Sequence, residues 1–530
     1  MSALEVLAFP IIFLGVAVAR AGPRLCVHGG RLSLLVHDSW FHLLLADAMR
    51  ASGHRVPRRI PGFLLSTHVA YPPLLHYLLS FAGRRARERL EPWLGGICDG
   101  LTAVVIYAVA AHGLPGGTPA WGWGATLLYT VTPGMLGVGW GPRALHGTPR
   151  VFGQLLFAGS SCCFLLHRGT GNILWMGTAI LIGSLIVVAS RFTAQVFVLG
   201  ALLLAVILHA WSPLVWAGAS LALSFVWFGG YARQLVKGHL RSLWMQAASF
   251  RRGRFDDPEI QQRNQWRDLF GLPWFLLFDR NRARKILLQR NTFLLALIQM
   301  PLLPAYLLLR PSAPSPPWLQ PLEAFLLAGA ILFLLTSLRP FLFLGEAERY
   351  LEHVVPLACV ALGAFARAQP GGWTHPGMLA LAAFSTAVYI ALGVDFIRRA
   401  RASTPRESTA REVLDWITRH APEGRFAVLP RSNMNLLIPY FTSGQTLFGQ
   451  WARGADPDIL ALRDPASPAF ARCRDALFAR FDTHFVLTTQ RARNSPGIAE
   501  LFAAYPVVWE NQLYAMLAAR PVGAATKIAR

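Results

Sequence analysis

Acidic residues are scarce in this 530-residue chain: 27 Asp and Glu stand against 50 Lys and Arg. Only six of them, Glu5, Asp38, Asp47, Glu88, Glu91 and Asp99, precede Phe255. Lysine is almost absent, with Lys237, Lys285 and Lys527 alone, so the net charge of +23 is carried by arginine. Charged residues make up 15% of the chain, where a soluble domain carries about 25%. That shortage excludes an ordinary water-soluble domain for the bulk of the sequence. The six cysteines show no metal-ligand spacing, and most lie in or beside apolar runs, where they read as small packing residues. No internal repeat of the transporter kind is visible. The basic residues lie in loops between apolar runs, which argues against nucleic acid as a partner.

What the chain has is long apolar segments. They recur from Leu4 to about Val394, each long enough to cross a bilayer as a helix. Eleven such segments are expected, beginning near Leu4, Trp93, Trp121, Val151, Ile173, Ala194, Pro213, Thr292, Leu322, Leu351 and Met378. The first resembles a signal sequence but lacks a basic flank and a cleavage site, so it reads as a retained helix. The shorter stretch Tyr71 to Phe81 reads as interfacial. With eleven spans, the segments 21–92, 141–150, 231–290, 339–350 and the tail share one side. Arg84, Arg85, Arg87 and Arg89 would then lie outside, against the positive-inside tendency. Residues 1–398 therefore read as a transmembrane domain and 399–530 as a small α/β domain. Within the tail the pattern predicts a helix over 411–420, a strand over 425–429, a helix over 469–481, a strand over 484–489 and a hairpin turning at Glu510-Asn511.

Acids beside membrane segments are expensive and invite a functional reading. Asp38 lies in His37-Asp38-Ser39-Trp40-Phe41-His42, where helical periodicity begins, and Asp38 and His42 would share a face. Asp38 reads either as a helix cap or as a general base toward an acceptor hydroxyl. Tyr71-Pro72-Pro73 sets an extended entry into the interfacial helix. The loop Gly141 to Arg150 brings Arg143, His146 and Arg150 onto a glycine-rich backbone, which suits phosphate or an ordinary basic turn. The string Glu346-Ala347-Glu348-Arg349-Tyr350-Leu351-Glu352 is the densest acidic cluster near an apolar run. Arg349 there could meet a diphosphate, a headgroup or Glu346. The segment Tyr231 to Arg290 carries thirteen basic residues against five acidic ones. It reads as a headgroup-facing surface or a substrate lid.

At these residues the chain resembles the GT-C superfamily of membrane glycosyltransferases, which use polyprenyl-phosphate or polyprenyl-diphosphate sugars. The likeness lies in order and spacing. A first span leads to a long outer loop opening with Asp38 and an aromatic/His helix and closing with Tyr71-Pro72-Pro73. A second outer loop follows at Gly141 to Arg150, a Glu-Arg-Tyr pattern at Glu348-Arg349-Tyr350, and an α/β tail. The resemblance implies a polytopic α-helical fold of GT-C type and an inverting sugar transfer on the extracytoplasmic side of a bacterial inner membrane. It implies a catalytic role for Asp38 and substrate contacts for His37, His42, Tyr71, Arg143, His146, Arg150, Glu348, Arg349 and Tyr350. The implied partners are a polyprenyl-linked sugar donor, membrane lipids, and a glycan, lipid or protein acceptor. Metal-binding members carry acids in the second outer loop; Arg143 to Arg150 has none, so no metal ligand is assigned and dependence on Mg or Mn stays open. The Trp-Trp-Asp motif of oligosaccharyltransferases is absent, which argues against asparagine glycosylation. The competing readings are a transporter or flippase for lipid-linked sugar and a structural subunit of a glycan assembly system.

Overall fold

The computed structural model describes residues 3–28, 32–34, 37–65, 71–137, 147–251, 263–309, 315–368, 374–430, 432–447, 468–495, 499–500, 502–503 and 505–519. It divides into two compact units. One comprises residues 1–29 and 92–397, the other 30–91 and 398–530. The expected boundary near residue 398 is where the second unit resumes, and residues 30–91, which the sequence pattern assigns to the transmembrane domain, are part of that second unit.

The first unit is helical. Its elements are α1 (Ala3–His28), most of α4 (Arg84–Ala108), α5 (Pro119–Val131), α6 (Pro149–Thr170), α7 (Ile173–Ala189), α8 (Arg191–Ile207) and α9 (Ser212–Arg251). The short helices α10 (Trp266–Phe270), α11 (Leu272–Phe278) and α12 (Arg280–Lys285) follow. Then come α13 (Thr292–Gln299), α14 (Leu302–Leu309), α15 (Gln320–Ser337), α16 (Glu348–Ala368) and most of α17 (Thr374–Ala402). Among the described residues six helices are long and apolar enough to cross a membrane, and two shorter apolar helices accompany them. With their apolar faces exposed in the isolated chain, these make the protein an integral membrane protein. Helices occupy all eleven expected places, but those at α5, α13–α14 and α16 are too short, broken or too polar to qualify by themselves.

Local chemistry sets several boundaries. Thr118 caps α5 by accepting from Trp121 N, with Pro119 at the first helical position. Asn172 and Ser190 cap α7 and α8. Gly171 ends α6 in the left-handed conformation (φ 69°). The long α9 is interrupted at Gly229 (φ 49°) and continues to Arg251, through part of what the sequence presents as a polar loop.

At the centre of the bundle lies α16, buried without interruption from Tyr350 to Leu362. Neighbouring helices approach it closely. A Cβ on Gly363 would come 2.1 Å from the Trp121 indole. Trp216 fills the core of α6–α9, with ring centroids 4.7 Å from both Phe164 and Phe197, and its indole donates to Ser160 Oγ at 3.0 Å. The Arg20–Asp99 ion pair is wholly buried: Arg20 Nε donates to Asp99 Oδ2 at 2.9 Å. Tyr129 Oη donates to Asp99 Oδ1 at 2.9 Å, and Arg20 also donates to the Tyr129 and Thr130 carbonyls. Each charge is thereby satisfied several times over, which burial demands.

The second unit is an α/β layer structure. It contains α2 (His37–Ala51), α3 (Leu74–Ser80), α18 (Thr404–His420), α19 (Met434–Phe441), α20 (Pro468–Arg480) and α21 (Gln490–Arg493). Its strands are β1 (Arg425–Val428), β2 (Gln445–Thr446), β3 (Phe485–Thr489), β4 (Val507–Glu510) and β5 (Tyr514–Ala518). They run in the order β2-β1-β3-β5-β4. The first three are parallel and the β4–β5 hairpin is antiparallel. Side chains alternate between the two faces, as strand geometry requires. Phe426, Val428, Phe485, Leu487 and Met516 share a core with Trp40, Phe41, Leu44, Val413 and Leu437. Ala427, Leu429, Val486 and Leu517 share the opposite one with Phe470, Leu477, Phe478 and Phe502. Both faces being covered explains why β1 and β3 read as short apolar runs. The predicted strands and hairpin match these elements to within a residue or two; α19 and β2 were not expected from the sequence.

Candidate active site

The helix α2 follows an anchored segment: Leu34 N donates to Glu407 Oε1 at 3.1 Å, and Ser33 Oγ to Glu407 Oε2 at 3.2 Å. Asp38 then lies inside the first turn, where the helix N-terminus favours an acid. It is half-buried, makes no capping bond, and has no hydrogen bond or ion pair among the described residues. The other acids of this part of the chain are engaged. Asp47 pairs with Arg87, and Glu91 accepts from the Ser39 hydroxyl. Glu88 accepts from Tyr440 Oη at 2.8 Å. Asp38 thus stands as a carboxylate held on a fixed frame without a partner taking it up.

That frame is built by the two sequence motifs together. His42 Nδ1 lies 2.9 Å from His76 Nε2, and His76 Nδ1 lies 3.0 Å from the Pro72 carbonyl. The carbonyl can only accept, so His76 carries its proton on Nδ1 and accepts from His42. Both rings are buried. Burial pushes His76 down to about 3, the Pro72 bond opposing only part of the effect. Tyr71 packs its ring 5.4 Å from Phe41 and 5.8 Å from His42. Arg50 closes the far end of α3, donating to the Ser80, Phe81 and Ala82 carbonyls at 3.1–3.2 Å. His37 opens α2, but its side chain lies outside the described residues.

A second cluster lies in the first unit, at the start of α16. Arg150 forks onto the Glu352 carboxylate. Arg263 donates to both oxygens of Glu348, at 2.8 and 3.2 Å, with both side chains under 5% exposed. Arg349 Nη2 donates to Glu346 Oε1 at 2.9 Å. Three guanidiniums therefore face three carboxylates. Burial raises the Glu346 carboxyl, but Arg349, Arg263 and Arg150 more than offset it and hold the group below the usual carboxylate range. Tyr350 Oη donates to the Leu344 carbonyl at 3.1 Å and meets Gln195. His353 bridges Thr193 Oγ1 (3.1 Å) and the Arg349 carbonyl (2.8 Å).

Of the expected substrate contacts, Arg150, Glu348, Arg349 and Tyr350 come together here; in the other unit His42 packs against Tyr71, and Asp38 lies one turn before His42 on α2. Arg143 and His146 lie outside the described residues. Arg349 takes Glu346, one of the three partners open to it from sequence. Arg263 and Gln195 belong to the cluster without having been singled out. Arg263 sits in a segment of thirteen basic residues, and only the acid it meets 85 residues later sets it apart. Among the described residues no group of three or more His, Cys, Asp or Glu could hold a metal.

No protein-family profile and no curated protein matches the sequence. The fold does have solved counterparts, similar along nearly the whole chain. The archaeal oligosaccharyltransferase of Archaeoglobus fulgidus, complexed with zinc and sulfate, matches with a TM-score of 0.53 at 13% identity, over 93% of this chain and 71% of that one. ArnT from Cupriavidus metallidurans in the apo state matches with a TM-score of 0.54 at 11% identity, over 97% and 98%. The same protein bound to undecaprenyl phosphate matches at 0.52 and 12% identity, over 98% and 99%. Identities this low establish the fold. The zinc of the archaeal structure has no matching ligand set among the described residues here.

Proposed function

We propose that this chain is a glycosyltransferase that moves a sugar from a polyprenyl-phosphate or polyprenyl-diphosphate donor to an acceptor on the extracytoplasmic side of a bacterial inner membrane, with inversion. The observation that carries the reading is Asp38. It is the acid in the first outer loop that nothing else occupies among the described residues, on a helix braced by the His42–His76 pair. The GT-C fold adds support, since the ArnT of Cupriavidus metallidurans was captured with undecaprenyl phosphate.

In this reading Asp38 accepts the proton of the acceptor hydroxyl as its oxygen attacks the anomeric carbon. The bond from that carbon to the phosphate oxygen breaks, and the electron pair leaves with the phosphate. Such a leaving group needs little protonation, so one carboxylate suffices, unlike the pair a glycosidase uses. The departing phosphate is assigned to arginines, namely Arg143, Arg150 and Arg349. It would take Arg349 in exchange for Glu346. No step is routed through a metal.

The test is release of free polyprenyl phosphate or diphosphate when purified protein meets lipid extracts containing polyprenyl-linked sugars. Release by wild type and not by Asp38→Asn supports the proposal. Equal release by both removes Asp38 from the chemistry. Absence of release from a full panel of such donors would turn attention to a transporter or scaffold.

A further inference from the structure

The stretch from Asn264 to Arg290 leaves the helical bundle and returns to it at one neck. Asn264 N donates to the Arg290 carbonyl at 2.9 Å. Thr292 N and Oγ1 both donate to Asn264 Oδ1 at 2.9 Å, and Asn264 Nδ2 donates to the Ser337 carbonyl at 2.9 Å. Next to the neck, Arg263 is fixed by Glu348. The excursion is therefore held firmly at its base.

Its outer surface is unusual for a short polar connection. Phe270 is 82% exposed, Trp274 63%, Leu277 74% and Phe278 67%. Trp274 and Phe278 pack with ring centroids 4.1 Å apart. Directly after this ridge comes Arg280-Asn281-Arg282-Ala283-Arg284-Lys285. The excursion has two acids, and both are used. Asp268 pairs with Arg282, and Asp279 caps α12 through Arg282 N at 3.0 Å. Arg267, Arg280 and Lys285 are exposed and have no carboxylate partner among the described residues. An apolar, aromatic ridge beside uncompensated cations is the composition of a segment lying in a bilayer interface.

The depth is set by a separate contact. Arg284 Nη2 donates to Asp395 Oδ2 at 2.6 Å, and Leu288 packs into the small cluster around Leu392 that also takes Val388, Tyr389 and Phe396. These residues form the last turns of the apolar run of α17, just before Arg398 and Arg399. The excursion thus lies at the level where a membrane span ends, which is where tryptophan and basic side chains meet headgroups.

We propose that residues 264–290 form a bilayer-surface anchor that selects anionic phospholipid, with Phe270, Trp274, Leu277 and Phe278 among the acyl chains and Arg267, Arg280 and Lys285 on the headgroup phosphates. Each such cation strengthens attraction to an anionic leaflet about fivefold. The anchor stands independently of the catalytic proposal, because it rests on the spanning helices alone.

The full chain would be reconstituted in vesicles of phosphatidylcholine, alone or with phosphatidylglycerol. An environment-sensitive fluorophore would be placed at Leu277→Cys in a Cys26→Ser background. The expected result is blue-shifted emission, quenched by brominated acyl chains and shielded from aqueous iodide, most strongly with phosphatidylglycerol. The triple variant Arg267→Gln, Arg280→Gln, Lys285→Gln should lose the phosphatidylglycerol dependence. It should also retain several-fold less phosphatidylglycerol through purification, as read by mass spectrometry of the intact protein. A fluorophore open to iodide in both vesicles overturns the anchor. Unchanged phosphatidylglycerol retention in the triple variant overturns its selectivity for anionic lipid.

Discussion

His42 Nδ1 sits 2.9 Å from His76 Nε2, and this buried contact helps join two motifs that the sequence separates by thirty-four residues. Burial pushes His76 down to about 3, below the value of about 6.5 it has in an unfolded chain. Between those values the unfolded state binds the extra proton, so stability is fully present above about pH 6.5 and is lost as pH falls. At pH 5 the loss is about 2 kcal/mol. Thermal unfolding at pH 7 and pH 5 checks this. The wild type should melt lower at pH 5, and His76→Asn should remove most of that difference.

The Arg263–Glu348 pair predicts a different outcome. Both groups are nearly inaccessible, so Arg263→Met strands a buried carboxylate and should cost about 3–5 kcal/mol. The double change Arg263→Met with Glu348→Leu removes both charges and should recover most of the loss. Melting temperatures of the two variants in one detergent decide the matter. Equal damage in single and double variants would mean that packing, not the unpaired charge, carries the cost.

Gly363 tests the packing of α16. A side chain there meets Trp121, whose indole donates to the Val360 carbonyl at 3.1 Å. Gly363→Leu must displace the indole and give up that bond, at a cost of about 1–3 kcal/mol. Gly15 has open space where a Cβ would go, so Gly15→Ala should leave the melting temperature unchanged and serves as control.

These sites differ in how far the sequence reveals them. The helix carrying Asp38 and His42, the strands at 425–428 and 485–489 and the hairpin before Ala518 each show in a local period, because one face or both are buried. The partner of Glu348 does not show, since Arg263 is one basic residue among many in its segment and the pairing is set by tertiary packing. The joining of residues 30–91 with 398–530 is invisible for the same reason: Trp40, Val413 and Phe426 meet in one core only after the chain has crossed the helical unit. The apolar runs at α5, α13–α14 and α16 read as spans in the sequence, because a segment buried within protein and one buried in lipid share the same apolar pattern.

Asp38 and Glu91 give the sharpest contrast, since both are carboxylates of the segment 30–91 and, among the described residues, only Glu91 is used structurally. Glu91 is 1% exposed and accepts from the Ser39 hydroxyl. Glu91→Ala removes that acceptor from a buried donor and should cost about 1–3 kcal/mol, read as a lower melting temperature. Asp38 is half-buried, and no partner among the described residues would be stranded by its removal. Asp38→Asn should therefore leave the melting temperature unchanged while turnover of a polyprenyl-linked donor falls about 10²–10⁴-fold, the contribution of a positioned base. A variant that is equally active, or one that is inactive only because it unfolds, would return Asp38 to the role of a helix-terminal acid.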